Sequence, residues 1–146
     1  MTNRVYRNKH TYPLTREKGR QKPRIPIRIR NFSTGEFLIA NALVDTGSDS
    51  CVFPNYITKA LGYELNEGDK KHIGIKGISE IELDCYVHGF KIDILDSHKL
   101  RTLVSIDTVA YTVESDNITP LLGTYRLLDF FKIEIDYNND TITLNW

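Results

Sequence analysis

The sequence predicts a mostly β domain with one or two short helices, and three observations support that prediction. Apolar and polar residues alternate with a period of two in several short stretches, most clearly at residues 25–30 and 133–137. Turn-forming Asn, Asp, Gly and Ser residues separate these stretches, as at residues 31–35 and 138–140. A length of 146 residues, with 40% hydrophobic and 26% charged residues, is typical of one soluble globular domain.

The first half of the predicted domain contains a strand pair and a helix. Residues 25–30 form the first strand, and the turn at residues 31–35 returns the chain through residues 36–44. Pro54 then opens a short helix, which Gly62 ends.

The second half is predicted to be strands, with one helical stretch. A glycine-tipped hairpin is expected at residues 70–83, where Gly74 and Gly77 interrupt a run of spaced isoleucines. The chain is expected to close with a second hairpin, because two alternating runs flank an Asn-Asn-Asp turn. The other predicted elements are strands at residues 86–95, 100–113, 133–137 and 142–146, and a helix at residues 125–131.

The net charge of zero conceals an asymmetry between the N-terminus and the rest of the chain. Residues 1–30 contain ten Lys and Arg residues and one Glu, whereas the remaining 116 residues contain nine Lys and Arg and eighteen Asp and Glu. We therefore divide the chain into a basic, flexible N-terminal arm at residues 1–24 and a folded domain at residues 25–146.

Four roles for this arm stay open at the level of sequence. It is a solvated tail, a nucleic-acid-binding element, a pro-segment that the protein removes from itself, or a segment that folds back on the acidic domain. Nucleic-acid binding is less favoured than the solvated tail. Tyr6 and Tyr12 are the only aromatic residues of the arm, too few for a stacking platform.

Composition excludes several classes of protein. The sequence has no run of about eighteen apolar residues, so no membrane-spanning helix is expected, and the N-terminus lacks the apolar core of a signal peptide. We therefore expect a cytoplasmic location. The cysteines and histidines have the spacing neither of metal ligands nor of a nucleophilic triad, so we expect no metal and no cofactor. These residues are Cys51, Cys85, His10, His72, His88 and His98.

One carboxylate stands where the sequence otherwise predicts the end of a buried strand. The apolar run at residues 42–44 leads directly into Asp45, and a second apolar run follows shortly afterwards. A lone ionised carboxylate is costly to bury, so it needs hydrogen-bond donors. Gly47 lets the backbone approach closely, and the hydroxyl groups of Thr46 and Ser48 are potential donors. The alternative interpretation is an ordinary Asp-Thr-Gly turn.

The loop around Asp45 resembles the active-site loop of the pepsin-type aspartic proteases, in the run Ala42-Leu43-Val44-Asp45-Thr46-Gly47-Ser48-Asp49-Ser50. More narrowly, the chain resembles the single-domain, retroviral-type (retropepsin-like) branch over about residues 25–146. The family's apolar-apolar-glycine segment, which packs against that loop, is similar to Leu121-Leu122-Gly123. Residues 72–78 lie where the family has its flap. Residues 143–146 resemble a C-terminal strand that some members use at the dimer interface.

The resemblance implies a closed pepsin-like acid-protease barrel with one lobe per chain, and aspartic endopeptidase activity. Because the chain has a single Asp-Thr-Gly, the active enzyme would be a C2 homodimer in which Asp45 of each subunit faces its twin. The two carboxyl groups would share a proton and activate one water for attack on a peptide bond of an extended polypeptide. No metal or cofactor would take part.

The same resemblance implies roles for the neighbouring residues. Thr46 would cross-link the two loops, Gly47 and Asp49 would contact the substrate, and Ser48 would donate a hydrogen bond to the outer oxygen of Asp45. The flap residues that bind the substrate would be Ile75, Lys76, Gly77 and Ile78. The residues that pack against the catalytic loop would be Leu121, Leu122 and Gly123.

The sequence departs from the family pattern at one charged position. Retroviral members commonly carry an arginine after the apolar-glycine segment, where it pairs with the loop acid, whereas this chain has Thr124. Arg126, Arg24 or Arg28 can take over that pairing, and the sequence does not choose among them. Two other functions stay open. One is a retropepsin-fold dimer with weak or no turnover that binds peptides or serves in assembly. The other is a nucleic-acid-associated protein that acts through residues 1–24.

Overall fold

The computed structural model describes residues 3–74, 82–115 and 117–146. The strands in these parts of the chain are β1 (Lys9–Pro13), β2 (Thr15–Glu17), β3 (Arg20–Lys22), β4 (Arg24–Arg30), β5 (Phe37–Val44), β6 (Cys51–Pro54), β7 (Asp69–Gly74), β8 (Glu82–Leu95), β9 (Thr102–Val113), β10 (Leu121–Leu122), β11 (Lys132–Asp136) and β12 (Thr141–Asn145). The α-helix α1 is Asn55–Ala60, and 3₁₀ turns lie at Leu65–Glu67 and Leu128–Phe130.

Six of the strands close into a barrel, which confirms the mostly β, single-lobe fold that the sequence predicts. They follow the order β4-β5-β10-β6-β9-β8, and β8 pairs with β4 to complete the ring. The pairs β5–β10 and β6–β9 are parallel, and the other barrel pairs are antiparallel. Strand β7 extends the sheet beyond β8.

The hydrophobic core fills the inside of this barrel. Ile25, Ile27 and Ile29 on β4 are fully buried, as their period-two spacing predicts. They belong to one cluster with Phe53 of β6 and Phe90 of β8. Each such buried side chain contributes about 1.5–3 kcal/mol relative to an exposed one, so the alternation along the strands determines which face points inward.

Helix α1 confirms the first predicted helix, because it begins directly after Pro54 and is followed by Gly62 at a φ of +84°. The second predicted helix, at residues 125–131, is wrong. The described chain has only the 3₁₀ turn Leu128–Phe130 there.

The cause is a set of long-range backbone bonds just before that turn. The N–H groups of Thr124 and Tyr125 donate to the carbonyl oxygens of Ser48 and Asp49, at 2.9 and 2.8 Å. Arg126 follows with a left-handed φ of +59°, which a regular helix cannot contain. These bonds hold the backbone against the loop after β5 and prevent an α-helix from starting.

The N-terminal residues differ from the expected flexible arm, because they form strands and one of their side chains is buried in the core. Strand β1 pairs with β12, which also pairs with β11, to form a three-stranded sheet. Tyr12 is 1% exposed, and its hydroxyl donates to the Leu95 carbonyl oxygen at 2.6 Å. Of the four alternatives, folding back on the domain describes where this segment lies, and nucleic-acid binding and self-removal stay predictions. The domain boundary near residue 24 stays a prediction.

The C-terminal strand β12 is the middle strand of that three-stranded sheet. Its two edges are therefore already paired, with β1 and β11 of the same chain. A second chain that adds a strand to this sheet would meet β1 or β11 rather than β12. The expected use of the C-terminal strand at an interface is thus limited to its side chains.

Strand β5 has one edge that the described residues cover only in part. Strand β4 pairs with β5 from residue 37 to residue 43, whereas β10 pairs on the other side only with Leu43 and Val44. Phe37 and Ile39 are 58% and 43% exposed along this strand. The apolar start of β5 is therefore open to solvent.

A buried carboxylate lies in the barrel wall. Asp93 on β8 is fully buried, and its Oδ1 accepts hydrogen bonds from Arg30 Nη2 at 2.8 Å and Ser105 Oγ at 2.6 Å. Arg28 Nη1 lies 3.4 Å from Asp93 Oδ2. Two arginines thus neutralise one carboxylate that has no access to water. No helix in the described parts of the chain is long and apolar enough to span a membrane.

Candidate active site

The loop that carries Asp45 begins where β5 leaves the barrel. Strand β10 lies between β5 and β6, with Leu121 and Leu122 opposite Leu43 and Val44. The Asp45 N–H donates to the Leu122 carbonyl oxygen at 3.0 Å. The backbone of Asp45 is therefore fixed by the barrel itself, while its side chain projects from the strand end.

Gly123 makes the close packing of this loop possible. A Cβ at position 123 would lie 2.4 Å from both the carbonyl carbon and the oxygen of Ser50. Backbone atoms cannot yield as a flexible side chain does, so only glycine fits. The structure thus brings Leu121, Leu122 and Gly123 against the loop of Asp45.

Thr124 holds the far side of the loop, a role that the sequence analysis did not assign. Its N–H and its Oγ1 both bond to the Ser48 carbonyl oxygen, at 2.9 and 3.2 Å. The Tyr125 N–H adds a third bond, to the Asp49 carbonyl oxygen. The sequence signal for this role was a hydroxyl residue directly after Gly123. Glycine allows the neighbouring backbone to approach closely, and the threonine hydroxyl can then bond to that backbone.

The Asp45 carboxylate is partly exposed and receives one hydrogen bond from the described residues. The Gly47 N–H donates to Asp45 Oδ1 at 3.0 Å, and a Cβ at position 47 would lie 3.3 Å from that oxygen. The Ser48 N–H donates to the Asp45 carbonyl oxygen at 3.1 Å and closes the turn. One carboxylate oxygen is oriented by the loop, and the other is left to interact with groups outside it.

Two hydroxyl groups of the loop behave differently from each other. The Ser48 hydroxyl donates to the Ser50 carbonyl oxygen at 2.8 Å, so the predicted bond to the outer oxygen of Asp45 is replaced by a local one. The reason is proximity, because a serine readily bonds to a backbone group two residues away. Thr46 is exposed, and its side chain bonds to none of the described residues. It is free to contact a second molecule.

The question of which arginine pairs with the loop acid has a partial answer. Arg24 bonds to both carboxylate oxygens of Glu17, at 2.6 and 2.8 Å, and its guanidinium lowers the pKa of Glu17. Arg28 faces the buried Asp93. Both arginines are therefore engaged elsewhere, and the side chain of Asp49 is exposed and makes no ion pair with a described residue.

A groove of about 490 Å³ lies beside the loop. Its lining residues are Asp49, Ser50, Thr124, Tyr125 and Asp129. Tyr125 is 59% exposed, so an aromatic face stands beside two carboxylates at the rim. The groove places polar and aromatic groups at the edge of the Asp45 loop.

The predicted flap residues Ile75, Lys76, Gly77 and Ile78 lie outside the described residues. The strands on both sides of them are described, and β7 pairs antiparallel with β8 as far as Gly74 and Glu82. These two strands are antiparallel neighbours, as the predicted hairpin requires, and its glycine-bearing tip lies outside the described residues.

Neither a reactive thiol nor a metal site is found near the loop among the described residues. Burial raises the pKa of the Cys51 thiol to about 11, which keeps it protonated and unreactive. Among the described side chains, no three His, Cys, Asp or Glu groups lie together as a metal site requires. The loop of Asp45 is therefore the candidate active site.

The barrel and this loop are similar to solved structures of retropepsin-like proteins. A retropepsin-like aspartic protease from Rickettsia conorii matches at 19% identity with a TM-score of 0.61, over 100% of this chain and 98% of that one. EIAV protease complexed with the inhibitor HBY-793 matches at 20% identity with a TM-score of 0.52, over 80% of this chain and 94% of that one. The retroviral protease-like domain of Ddi1 from Leishmania major matches at 17% identity with a TM-score of 0.54, over 85% and 90%.

No protein-family model matches the chain, and no curated protein matches it. The similarity is therefore one of structure. The protein has a retropepsin-like fold with one lobe per chain, which confirms the fold that the sequence resemblance predicts.

Proposed function

We propose that the protein is an aspartic endopeptidase that acts on extended polypeptides as a homodimer, with Asp45 of each subunit in one active site. The observation that carries the proposal is the Asp45 loop: a carboxylate at the end of a barrel strand, oriented by the Gly47 N–H and locked by Gly123 and Thr124. Solved proteins with the same fold include one described as a retropepsin-like aspartic protease and one described as a protease in complex with an inhibitor.

A dimer is required by the chemistry. Each chain contributes a single loop of this kind, and one carboxyl group cannot both take a proton from water and donate one to the substrate. A C2 axis beside Asp45 supplies the second carboxyl group from an identical surface. The exposed Thr46 supports this arrangement, because its side chain is available for contact across the axis.

The two carboxyl groups then act as general base and general acid. Two neighbouring carboxyl groups repel each other when both are ionised, which costs free energy, so the pair shares one proton. The ionised group accepts a proton from a bound water, whose oxygen attacks the peptide carbonyl carbon. The protonated group donates to the carbonyl oxygen, and a proton then passes to the leaving nitrogen. The locked loop contributes by keeping both groups in one geometry.

The test compares wild type with Asp45→Asn on a peptide mixture between about pH 4 and 7. Hydrolysis sensitive to pepstatin is expected in wild type and should fall at least about 10³-fold in Asp45→Asn. The matched control is Asp107→Asn, an exposed carboxylate on β9 that pairs only loosely with Lys91, at 3.8 Å. Equal hydrolysis by wild type and Asp45→Asn, or none by wild type at any protein concentration, would overturn the proposal.

A further inference from the structure

We infer that the hairpin β2–β3 is a docking element for a second copy of this chain, and that its basic tip contacts the acidic rim of the partner's catalytic loop. The inference rests on the proposed homodimer and adds the surface that holds it together.

The hairpin presents a compact basic tip. Strands β2 and β3 pair from Thr15 and Lys22 to Glu17 and Arg20, and a two-residue turn joins them. Lys18 and Gly19 of that turn have φ angles of +50° and +76°, the pattern of a tight type I′ hairpin turn. Three exposed cations surround the turn, namely Arg16, Lys18 and Arg20.

The charge of this tip is not neutralised within the described chain. Glu17 is the single acid among the first 24 residues, and both of its carboxylate oxygens bind Arg24. Arg16, Lys18 and Arg20 make no ion pair with a described residue. Residues 1–24 contain eight Lys and Arg against that one Glu, whereas residues 25–146 contain eleven Lys and Arg against eighteen Asp and Glu. A second copy of the chain therefore offers the opposite charge.

The base of the hairpin lies next to the catalytic loop. The Val44 N–H donates to the Pro23 carbonyl oxygen at 2.8 Å, so the residue after the hairpin touches the residue before Asp45. The hairpin is also anchored from the side, because Gln21 Nε2 donates to the Tyr137 carbonyl oxygen at 2.8 Å and to Asp140 Oδ1 at 2.7 Å. These contacts anchor the base and one strand of the hairpin beside the loop of Asp45.

The acidic rim flanks the same loop. Asp49 is exposed without an ion pair among the described residues, and Asp129 lines the same groove and accepts the Arg126 N–H at 3.3 Å. In a C2 dimer centred on Asp45, every contact occurs twice. The inferred interface sets the tip of each subunit against the rim of the other, and opposite charges favour that register over alternative ones.

The test is a charge exchange measured by sedimentation over a range of protein concentrations. One variant reverses the hairpin, with Lys18→Glu and Arg20→Glu, and the other reverses the rim, with Asp49→Lys and Asp129→Lys. The control Lys59→Glu with Lys99→Glu makes the same change of charge as the hairpin variant, at exposed positions outside both surfaces. Circular dichroism and thermal melting verify that every variant is folded.

Each reversed variant alone should dimerise at least about tenfold more weakly than wild type, because both of its contacts then pair like charges. An equimolar mixture of the two should recover the wild-type affinity within about threefold, because both contacts are again matched. The control should dimerise as wild type does. Wild-type affinity in the hairpin variant, or no recovery in the mixture, would overturn the inference.

These outcomes separate the inference from the proposed function. If hydrolysis depends on Asp45 while the hairpin variant dimerises normally, the function stands and this interface is wrong. If the charge exchange behaves as expected while wild type hydrolyses nothing, the interface stands and the proposed function falls. A wild-type chain that stays monomeric at every concentration would overturn both.

Discussion

Two aspartates of this molecule show how the same side chain is used in opposite ways. Asp93 in the barrel wall is fully buried, is neutralised by Arg28 and Arg30, and accepts a hydrogen bond from the Ser105 hydroxyl. Asp45 at the strand end is partly exposed, and one backbone N–H orients it. The first carboxylate has all its partners inside the chain. The second is held rigidly but keeps an oxygen available, which is what a group needs if its partners are a water, a substrate and a second subunit.

The largest expected effect comes from removing the buried member of this pair. Asp93→Ala removes the shared carboxylate partner of two arginines that are 28% and 36% exposed, so the free energy of unfolding should fall by about 3 kcal/mol, the lower end for a broken buried ion pair. Asp45→Ala should lower it by less than about 1 kcal/mol, because a single hydrogen bond is lost at a partly exposed site. Chemical denaturation of both variants measures the difference. Equal losses would contradict the contrast between the two aspartates.

The next effect concerns the packing that keeps Asp45 in place. Gly123→Ala puts a methyl group 2.4 Å from the Ser50 backbone, so we expect a loss of about 1–3 kcal/mol together with a loss of peptide hydrolysis. Gly35→Ala is the control, because Gly35 has a φ of +75° but no atom within 4 Å of the added Cβ. Its cost should come from backbone strain alone, with turnover unchanged. A Gly123→Ala protein with wild-type turnover would show that the loop does not need this contact.

A smaller effect should follow from the hydroxyl of Thr124. Thr124→Val keeps the shape and the backbone N–H but removes the Oγ1 bond to the Ser48 carbonyl oxygen. We expect a stability loss of about 0.5–1.5 kcal/mol and a lower kcat, since the loop that carries Asp45 loosens. Thr124→Ser should recover kcat because it restores the hydroxyl. If Thr124→Ser and Thr124→Val lose the same activity, the hydroxyl is not what holds the loop.

The smallest effect is a pH dependence far from the loop, at the junction of β1 with the β8–β9 turn. The Ser97 N–H donates to His10 Nε2 at 3.1 Å, which requires that nitrogen to be unprotonated. Burial lowers the pKa of His10 below its ordinary value of 6.5, with Arg101 and His98 acting in the same direction and Asp96 against them. The unfolded chain therefore binds the proton more readily. The stabilisation is complete above pH 6.5 and declines as the pH falls below it.

Urea unfolding of wild type and His10→Gln at several pH values between about 5 and 8 measures this dependence. Wild type should lose stability toward pH 5, and His10→Gln should lose less over the same range. Carboxylates such as Glu17 and Asp136, whose pKa values are lowered by Arg24 and Asn139 respectively, act in a separate and more acidic window. Identical slopes for the two proteins between pH 5 and 7 would show that His10 is not the titrating group.

The parts of the fold that could be predicted are those that depend on neighbours in sequence. The alternation of Ile25, Ile27 and Ile29 indicated both the strand and its buried face. The closed barrel was implied by the resemblance of the loop, hairpin and apolar-glycine segment to the retropepsin-like family, and not by the strand pattern alone. The burial of Tyr12 could not be predicted, because its place depends on strand β12 at the other end of the chain. The wrong prediction of a helix at residues 125–131 also reflects distant contacts, because backbone bonds to Ser48 and Asp49 prevent a helix from forming there.

The candidate site was predicted to a similar extent. The position of Asp45 at a strand end follows from the local pattern, whereas the packing of Gly123 against the loop was implied by the family resemblance, because it depends on the distant Ser50 backbone. The bond of the Ser48 hydroxyl to Ser50 and the pairing of Arg24 with Glu17 could not be predicted, because each donor had several acceptors within reach. When a side chain has several equivalent partners within reach, the final geometry of the backbone determines which of them it bonds to.

The uncovered start of strand β5 has a practical consequence for work with the purified protein. Phe37 and Ile39 border backbone groups that, among the described residues, pair with β4 on one side only, and such an edge recruits strands from other molecules into growing aggregates. Concentrated samples should precipitate by this route, most readily on warming. A lysine in place of Ile39 should raise the attainable concentration without changing the melting temperature, and would make the protein easier to crystallise.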